Sequence, residues 1–169
     1  MFRIVFLAVI LCLTFQSLAQ TTTDDPLKTA EGLIKEIYNA VSLRPGVTLD
    51  WERVKSFFIK EAVVVIRTSR IATSVFSVEG FVQDFINFYA NYPGANKGFT
   101  ETILNMKSVV FGDMASILVL YEAHITGSPR PPEKGVDSWL LIQKDDRWWI
   151  TAVTNEIVSP ERPVPKELQ

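Results

Sequence analysis

The sequence predicts an α+β domain: helices first, then a strongly curved antiparallel sheet that wraps them into a cone-like half-barrel. Three observations lead there. Apolar residues recur at three- and four-residue steps through the first half of the chain. From residue 99 the pattern changes to four extended segments in close succession. Short turns between sequential strands imply an antiparallel meander, and helices segregated from strands define the α+β class.

Each element has a local reason. Asp25-Pro26 offers an N-cap followed by proline at the first helical position, where its missing N–H costs nothing. Leu27, Ala30, Ile34, Ile37, Tyr38 and Val41 then mark one apolar face, and Arg44-Pro45-Gly46 ends the helix. Asp50 caps a shorter helix with Trp51, Val54, Phe57 and Phe58 on its inner side, and the β-branched run Ala62–Ile66 reads as a strand. Ser77 opens a third helix faced by Phe81, Phe85, Phe88 and Tyr89, and Asn91-Tyr92-Pro93-Gly94 closes it. The extended segments are Phe99–Phe111, Met114–Ile125, Val136–Lys144 and Trp148–Ile157. A strand as long as Met114–Ile125 reaches about 40 Å at ~3.4 Å per residue and must twist and coil.

Alternation along that strand places Ala115, Ile117, Val119, Tyr121 and Ala123 on one face, and Ser116, Leu118, Leu120, Glu122 and His124 on the other. Both faces are apolar in the middle, unlike a sheet with one solvated side. Either the chain's own tail or a second copy must therefore cover the convex side. A homodimer packed through the sheet is the favoured expectation.

The first twenty residues point to export. Arg3 precedes an apolar run from Ile4 to Phe15, and Ser17 and Ala19 supply small residues before a cleavage point: the pattern of a secretory signal peptide. A retained anchor is the competing reading, but about 12 apolar residues are too few to span a ~30 Å hydrocarbon core. The expected organisation is a signal peptide over 1–20, one domain over 21–160 and an extended proline-containing tail over 161–169, in a secreted or periplasmic protein with no membrane association after cleavage. The single cysteine, Cys12, lies in the leader behind Leu11, which is too large for a lipoprotein signal. Disulfides and thiol chemistry are therefore not expected in the mature chain.

Composition narrows the function classes. The chain has 169 residues, 47% of them apolar, with 17 basic and 19 acidic side chains. It is too apolar for a disordered chain and too evenly charged to bind nucleic acid through phosphate neutralisation. A lone histidine excludes a multi-histidine metal site, and no phosphate-binding glycine loop, nucleophile elbow or calcium loop is present. No cofactor is expected.

Several motifs in order carry a family resemblance. Leu49-Asp50-Trp51-Glu52-Arg53-Val54-Lys55-Ser56-Phe57-Phe58 looks like a second helix of the form DW-x-x-x-x-x-LF. Phe111-Gly112-Asp113-Met114-Ala115, running to Tyr121-Glu122, looks like an FG-x-x-A…YE strand. Arg147-Trp148-Trp149-Ile150 looks like a terminal RWWI strand, and Pro163-Val164-Pro165 matches a proline-containing tail. Together they resemble an exported branch of the nuclear transport factor 2-like, or SnoaL-like, superfamily. The resemblance implies three helices wrapped by a bent sheet around an internal pocket. It does not imply one activity, because that fold hosts isomerases, dehydratases, epoxide hydrolases, cyclases, transport factors and binding modules. Two positions depart from the branch: Gly135-Val136-Asp137-Ser138 stands where Gly-x-Asn-Ser is usual, and Thr154-Asn155-Glu156 where tryptophan is common.

Enzymes on this fold often use a carboxyl buried in the cone, its pKa raised by desolvation. The strand carboxyls are Glu101, Glu122, Asp137 and Glu156. Glu101 and Glu122 lie on adjacent strands, and Glu122 shares a face with His124, so these three are the catalytic candidates. The plainer reading makes the carboxyls rim groups and His124 a surface residue at a strand end. Tyr38, Trp51, Phe58, Phe85, Tyr89, Tyr121 and Trp148 are candidates to line an apolar pocket, against the alternative that they fill the core. Trp148 and Trp149 must face opposite sides, and Trp148 is assigned to the concave one. Binding of a small apolar ligand without chemistry ranks first among the functional readings. An isomerase or dehydratase using a strand carboxyl, and a dimeric protein-interaction module, are the alternatives.

Overall fold

The computed structural model describes residues 25–67 and 71–169. The expected signal peptide lies outside these residues. Asp25 accepts a hydrogen bond from Leu27 N at 3.0 Å and caps a short 3₁₀ turn, Pro26–Lys28. Thr29 is extended and starts the chain afresh: its Oγ1 accepts from Gly32 N at 3.1 Å and caps α1, Ala30–Ala40. The helix expected to run from Asp25 is thus two pieces, because two good caps lie four residues apart. A Cβ on Gly32 would fall 2.1 Å from the Pro26 carbonyl oxygen, so only glycine lets the turn fold back on the helix.

Asp50 caps α2, Trp51–Lys55, through Arg53 N at 3.0 Å. The first strand, β1, runs from Phe58 to Arg67 and is longer than its β-branched stretch. It pairs antiparallel with β2, Thr73–Phe76, an edge strand that the sequence pattern does not announce. Ser77 caps α3, Val78–Asn91. The meander follows as β3, Phe99–Phe111; β4, Met114–Ile125; β5, Glu133–Lys144; and β6, Arg147–Ile157. Asp145 and Asp146, both left-handed at φ 54° and 59°, make the tight last turn.

The six strands form one sheet in the order β2-β1-β6-β5-β4-β3. Its last four strands are the expected antiparallel meander, but the sheet is mixed, because β1 joins β6 in parallel. Register shifts at Ile103/Asn105, Leu140/Leu141 and Phe58/Val63 interrupt the ladders, and such irregularities bend strands. The inner face of β4 is as the alternation predicts: Ala115, Ile117 and Val119 are buried with Leu33, Ile34 and Ile37 of α1 and with Trp139, Trp148 and Ile150.

The tail does not simply lie extended. It ends in a 3₁₀ turn, Lys166–Leu168, set against β3 and β4, with Leu168 buried and its carbonyl accepting from Asn105 Nδ2 at 3.2 Å. On the same outer face Leu120 is buried, whereas Val109, Phe111, Met114, Leu140 and Ile142 stay exposed.

Candidate functional site

A cavity of about 620 Å³ opens between α1, α3 and the inner face of the sheet. Pairing register decides which strand residues reach it. Glu101 stands opposite Ala123, Tyr121 opposite Gly135, Asp137 opposite Asn155, and Trp139 opposite Val153. Paired residues share a face, and all of these except Gly135 line the cavity. Phe81, Phe85 and Phe88 of α3 supply an aromatic wall. Asp84, Asn87 and Glu133 are among the exposed residues of its rim, with Asn91, Tyr92 and Pro93.

Asp137 is the centre of the polar network. Its Oδ2 accepts from the Tyr38 hydroxyl of α1, and its Oδ1 accepts from Asn155 Nδ2 at 2.7 Å. The same amide donates to the Tyr121 hydroxyl at 2.8 Å, while Asn155 Oδ1 accepts from Arg67 N at 3.3 Å. This fixes the orientation of the amide. Because the Tyr121 oxygen accepts, its own proton remains available to the cavity. A Cβ on Gly135 would lie 2.3 Å from the Tyr121 hydroxyl oxygen, so the bare strand lets the phenol cross toward β6. The Trp139 indole N–H is buried beside the Tyr38 hydroxyl, and among the described residues it completes no well-formed hydrogen bond.

Glu101 is positioned from behind. Ser42, buried just past α1, accepts from Glu101 N at 3.0 Å and donates to the Tyr38 carbonyl at 2.8 Å, tying the start of β3 to the helix. The Glu101 carboxyl makes no hydrogen bond or ion pair among the described residues. Burial, reinforced by the negative charge of Asp137, pushes it up to about 8. Burial likewise raises Asp137 to about 6, although the donors Tyr38 and Asn155 hold it down. Near neutrality the two carboxyls therefore keep one proton between them, with Asp137 the ionised member. Desolvation, and next the charge of Asp137, raises Tyr38 and Tyr121, so both stay phenols.

Of the catalytic candidates, only Glu101 reaches this site. Glu122 pairs with Thr102 and Lys134, and His124 with Thr100, on the face opposite Tyr121. Glu101 and Glu122 are consequently on opposite sides of the sheet, not in one site. Of the aromatic candidates, Tyr38, Phe85 and Tyr121 line the cavity. The others belong to the packing behind it: Trp51 rests on Phe85 and Tyr89, Phe58 on Phe81, Tyr89 donates to the Val41 carbonyl at 2.6 Å, and Trp148 is in the core. Glu156 is held by Arg67 through Nε at 2.9 Å and through its terminal nitrogen. Sequence reasoning gave no role to Asn155. Strict alternation was the available signal: with Tyr121 inward, Glu122 and His124 must point out. Among the described residues no cluster of three or more His, Cys, Asp or Glu is placed to hold a metal.

No family model matches the chain, and no curated protein matches it. Solved structures do. A candidate dehydratase of the NTF2-like family from Streptomyces avermitilis is 14% identical, with a TM-score of 0.60 over 79% of this chain and 96% of that one. A cystatin-like-fold protein of unknown function from Nostoc punctiforme is 11% identical, with a TM-score of 0.59 over 79% and 90%. A candidate scytalone dehydratase from Novosphingobium aromaticivorans is 10% identical, with a TM-score of 0.56 over 76% and 81%. At such identities the likeness establishes the fold. The chain is an α+β domain of the NTF2-like, cystatin-like fold.

The carboxyl pair gives stability a definite pH dependence. Glu101 has an ordinary value near 4.5 and is held up to about 8 in the folded chain, so between these limits the folded state binds more protons than the unfolded state. Stability must then fall as pH rises through that window. Thermal melts of the parent and of Glu101→Gln from pH 5 to 8 check this. The parent's melting temperature is expected to drop by on the order of 5 °C more than the variant's. Parallel curves would mean that Glu101 ionises as a solvated group.

Proposed function

We propose that the chain binds a small, largely apolar molecule in this cavity, seated against the aromatic wall with its polar end toward Glu101, Tyr121 and Asp137. One observation carries the reading: a cavity of about 620 Å³, ample for a one- or two-ring compound, converges on a few fixed polar groups. The probe 2-naphthol tests it. It should raise the melting temperature of the parent in proportion to the logarithm of its concentration. Ala123→Phe, which fills the cavity beside Glu101, should remove that rise while remaining folded by circular dichroism. An equal rise in the variant would place the binding elsewhere.

A second reading, proton transfer of the isomerase or dehydratase type, draws support from the paired carboxyls, since one is ionised and the other protonated near pH 7. Asp137 would accept the proton, and Tyr121 or Glu101 would donate to the oxygen that gains charge. The neighbours described as candidate dehydratases agree with this reading. Deuterium exchange at the α-carbon of 2-tetralone, followed by NMR, decides between binding and chemistry. Catalysis predicts acceleration by the parent and a loss of about 10²-fold or more in Asp137→Asn. Exchange unaffected by that substitution leaves binding alone.

The outer face supports a further part of the proposal, a homodimer through the sheet. Val109, Phe111, Met114, Leu140 and Ile142 form an uncharged exposed strip beyond the reach of the tail, and a second copy of the same strip matches it in polarity. Sedimentation velocity should give a dimer for the parent and a monomer for Leu140→Glu. A monomeric parent would refute it.

A further inference from the structure

The charges around the cavity are one-sided. Asp84 and Glu133 stand at the rim, with Glu101 and Asp137 inside. Arg67 is the only cationic side chain lining the cavity among the described residues, and it is already engaged: both Nε and its terminal nitrogen donate to Glu156. Asp137 is stabilised by the neutral donors Tyr38 and Asn155 alone, and the Glu101 carboxyl has no partner. A buried carboxylate without a counter-ion is costly, and that cost falls when a cation arrives.

The walls suit such a cation as well. Phe81 and Phe85 meet edge to face at 5.0 Å, and Tyr38 and Tyr121 lie tilted at 5.8 Å, so π-faces and ring edges line the same cavity as the carboxyls. Aromatic faces attract organic cations, whereas a hydrated inorganic ion would lose too much solvation there. An anionic ligand would meet like charge at the rim and again beside Asp137.

We infer that the cavity selects molecules with one ammonium group on an aromatic or alicyclic body, over neutral and anionic molecules of the same shape. This deepens the binding reading and rests on it. The ammonium nitrogen docks between the Glu101 and Asp137 carboxyls, and the ring body lies against α3. Docking near neutral pH displaces the proton held on Glu101, which passes to the buffer. Besides Glu101 of β3, the titratable groups facing the site are Asp137 and Glu133 of β5, Tyr121 of β4, Tyr38 of α1, Asp84 of α3, Tyr92 just past α3 and Arg67 of β1; Arg130, which donates to the Tyr92 hydroxyl at 3.4 Å, lies outside the lining. Tyr38 and Tyr121 stay protonated and Arg67 stays charged, so the carboxyls set the pH dependence.

Three isosteric probes test the inference by calorimetry on the parent protein: 1-naphthylmethylamine, 1-naphthylmethanol and 1-naphthoate. At pH 8 the amine is expected to bind about tenfold or more tightly than the alcohol, and the naphthoate more weakly than either. At pH 5, with both carboxyls largely protonated and the amine still charged, the advantage of the amine should shrink to about threefold or less. Near pH 7 the amine should release protons, seen as a heat that varies with the buffer's ionisation enthalpy. Glu101→Gln should lower amine affinity about tenfold at pH 8, and the pH series on the parent stands as an independent check. Equal affinity of alcohol and amine at pH 8 overturns the charge selection while the binding reading survives. Tighter binding of naphthoate overturns it too. Failure of all three probes overturns both.

Discussion

Asp137 has to be held by something, and the fold answers with neutral donors. Tyr38 reaches it from α1, 99 residues earlier in the chain, and Asn155 reaches it from the neighbouring strand. That single carboxylate therefore joins the helical layer to the sheet at the deep end of the cavity. The residues around it follow from the same requirement. Gly135 is bare so that Tyr121 can cross to Asn155, Asn155 is oriented by the Arg67 amide, and Ser42 holds the start of β3, and with it Glu101, on the same face of the sheet. Replacing Tyr38, Asn155 or Ser42 by an apolar residue would leave buried polar atoms without partners, which is more expensive than the loss of one hydrogen bond.

The same constraint explains why an apolar cavity persists inside a small domain. Close packing would fill the space between α1, α3 and the sheet if only aliphatic side chains lined it. Here Glu101 and Asp137 face the cavity interior, and collapse around them would remove their remaining solvation. Aromatic side chains on α3 prop the wall instead, with Trp51 and Tyr89 behind Phe85.

Much of the fold was legible because local signals agreed. The limits of β3 and β4 follow from the Gly112-Asp113 turn and the alternation on either side of it, and Ser77 marks the start of α3. The edge strand β2 was not legible, since Thr73-Ser74-Val75-Phe76 is short and shows no apolar alternation to read. Nor was the parallel pairing of β1 with β6, which no turn announces. At the site, Glu101, Tyr38, Phe85 and Tyr121 were within reach of sequence reasoning. Asp137 is only one of four strand carboxyls in the sequence, and Asn155 carries no signal there at all, because a polar residue in a strand looks like a rim group until its register is known. The pairing of Glu122 with His124 on one face was right, but the face was wrong. Tyr121 and Glu122 are successive residues of one strand, and they cannot both look inward.

The parallel junction of β1 and β6 has a kinetic consequence. Val64 pairs with Val153, so the chain must close a loop of nearly ninety residues before this part of the ladder exists. The hairpins from β3 to β6 need only short closures and can form earlier. Asn155 lies in β6 and is steadied by the last residue of β1, so the hydrogen-bond network matures only when that seam closes. During synthesis this happens only after β6 has emerged from the ribosome. Until then Asn155 lacks the backbone donor that orients its amide between Asp137 and Tyr121.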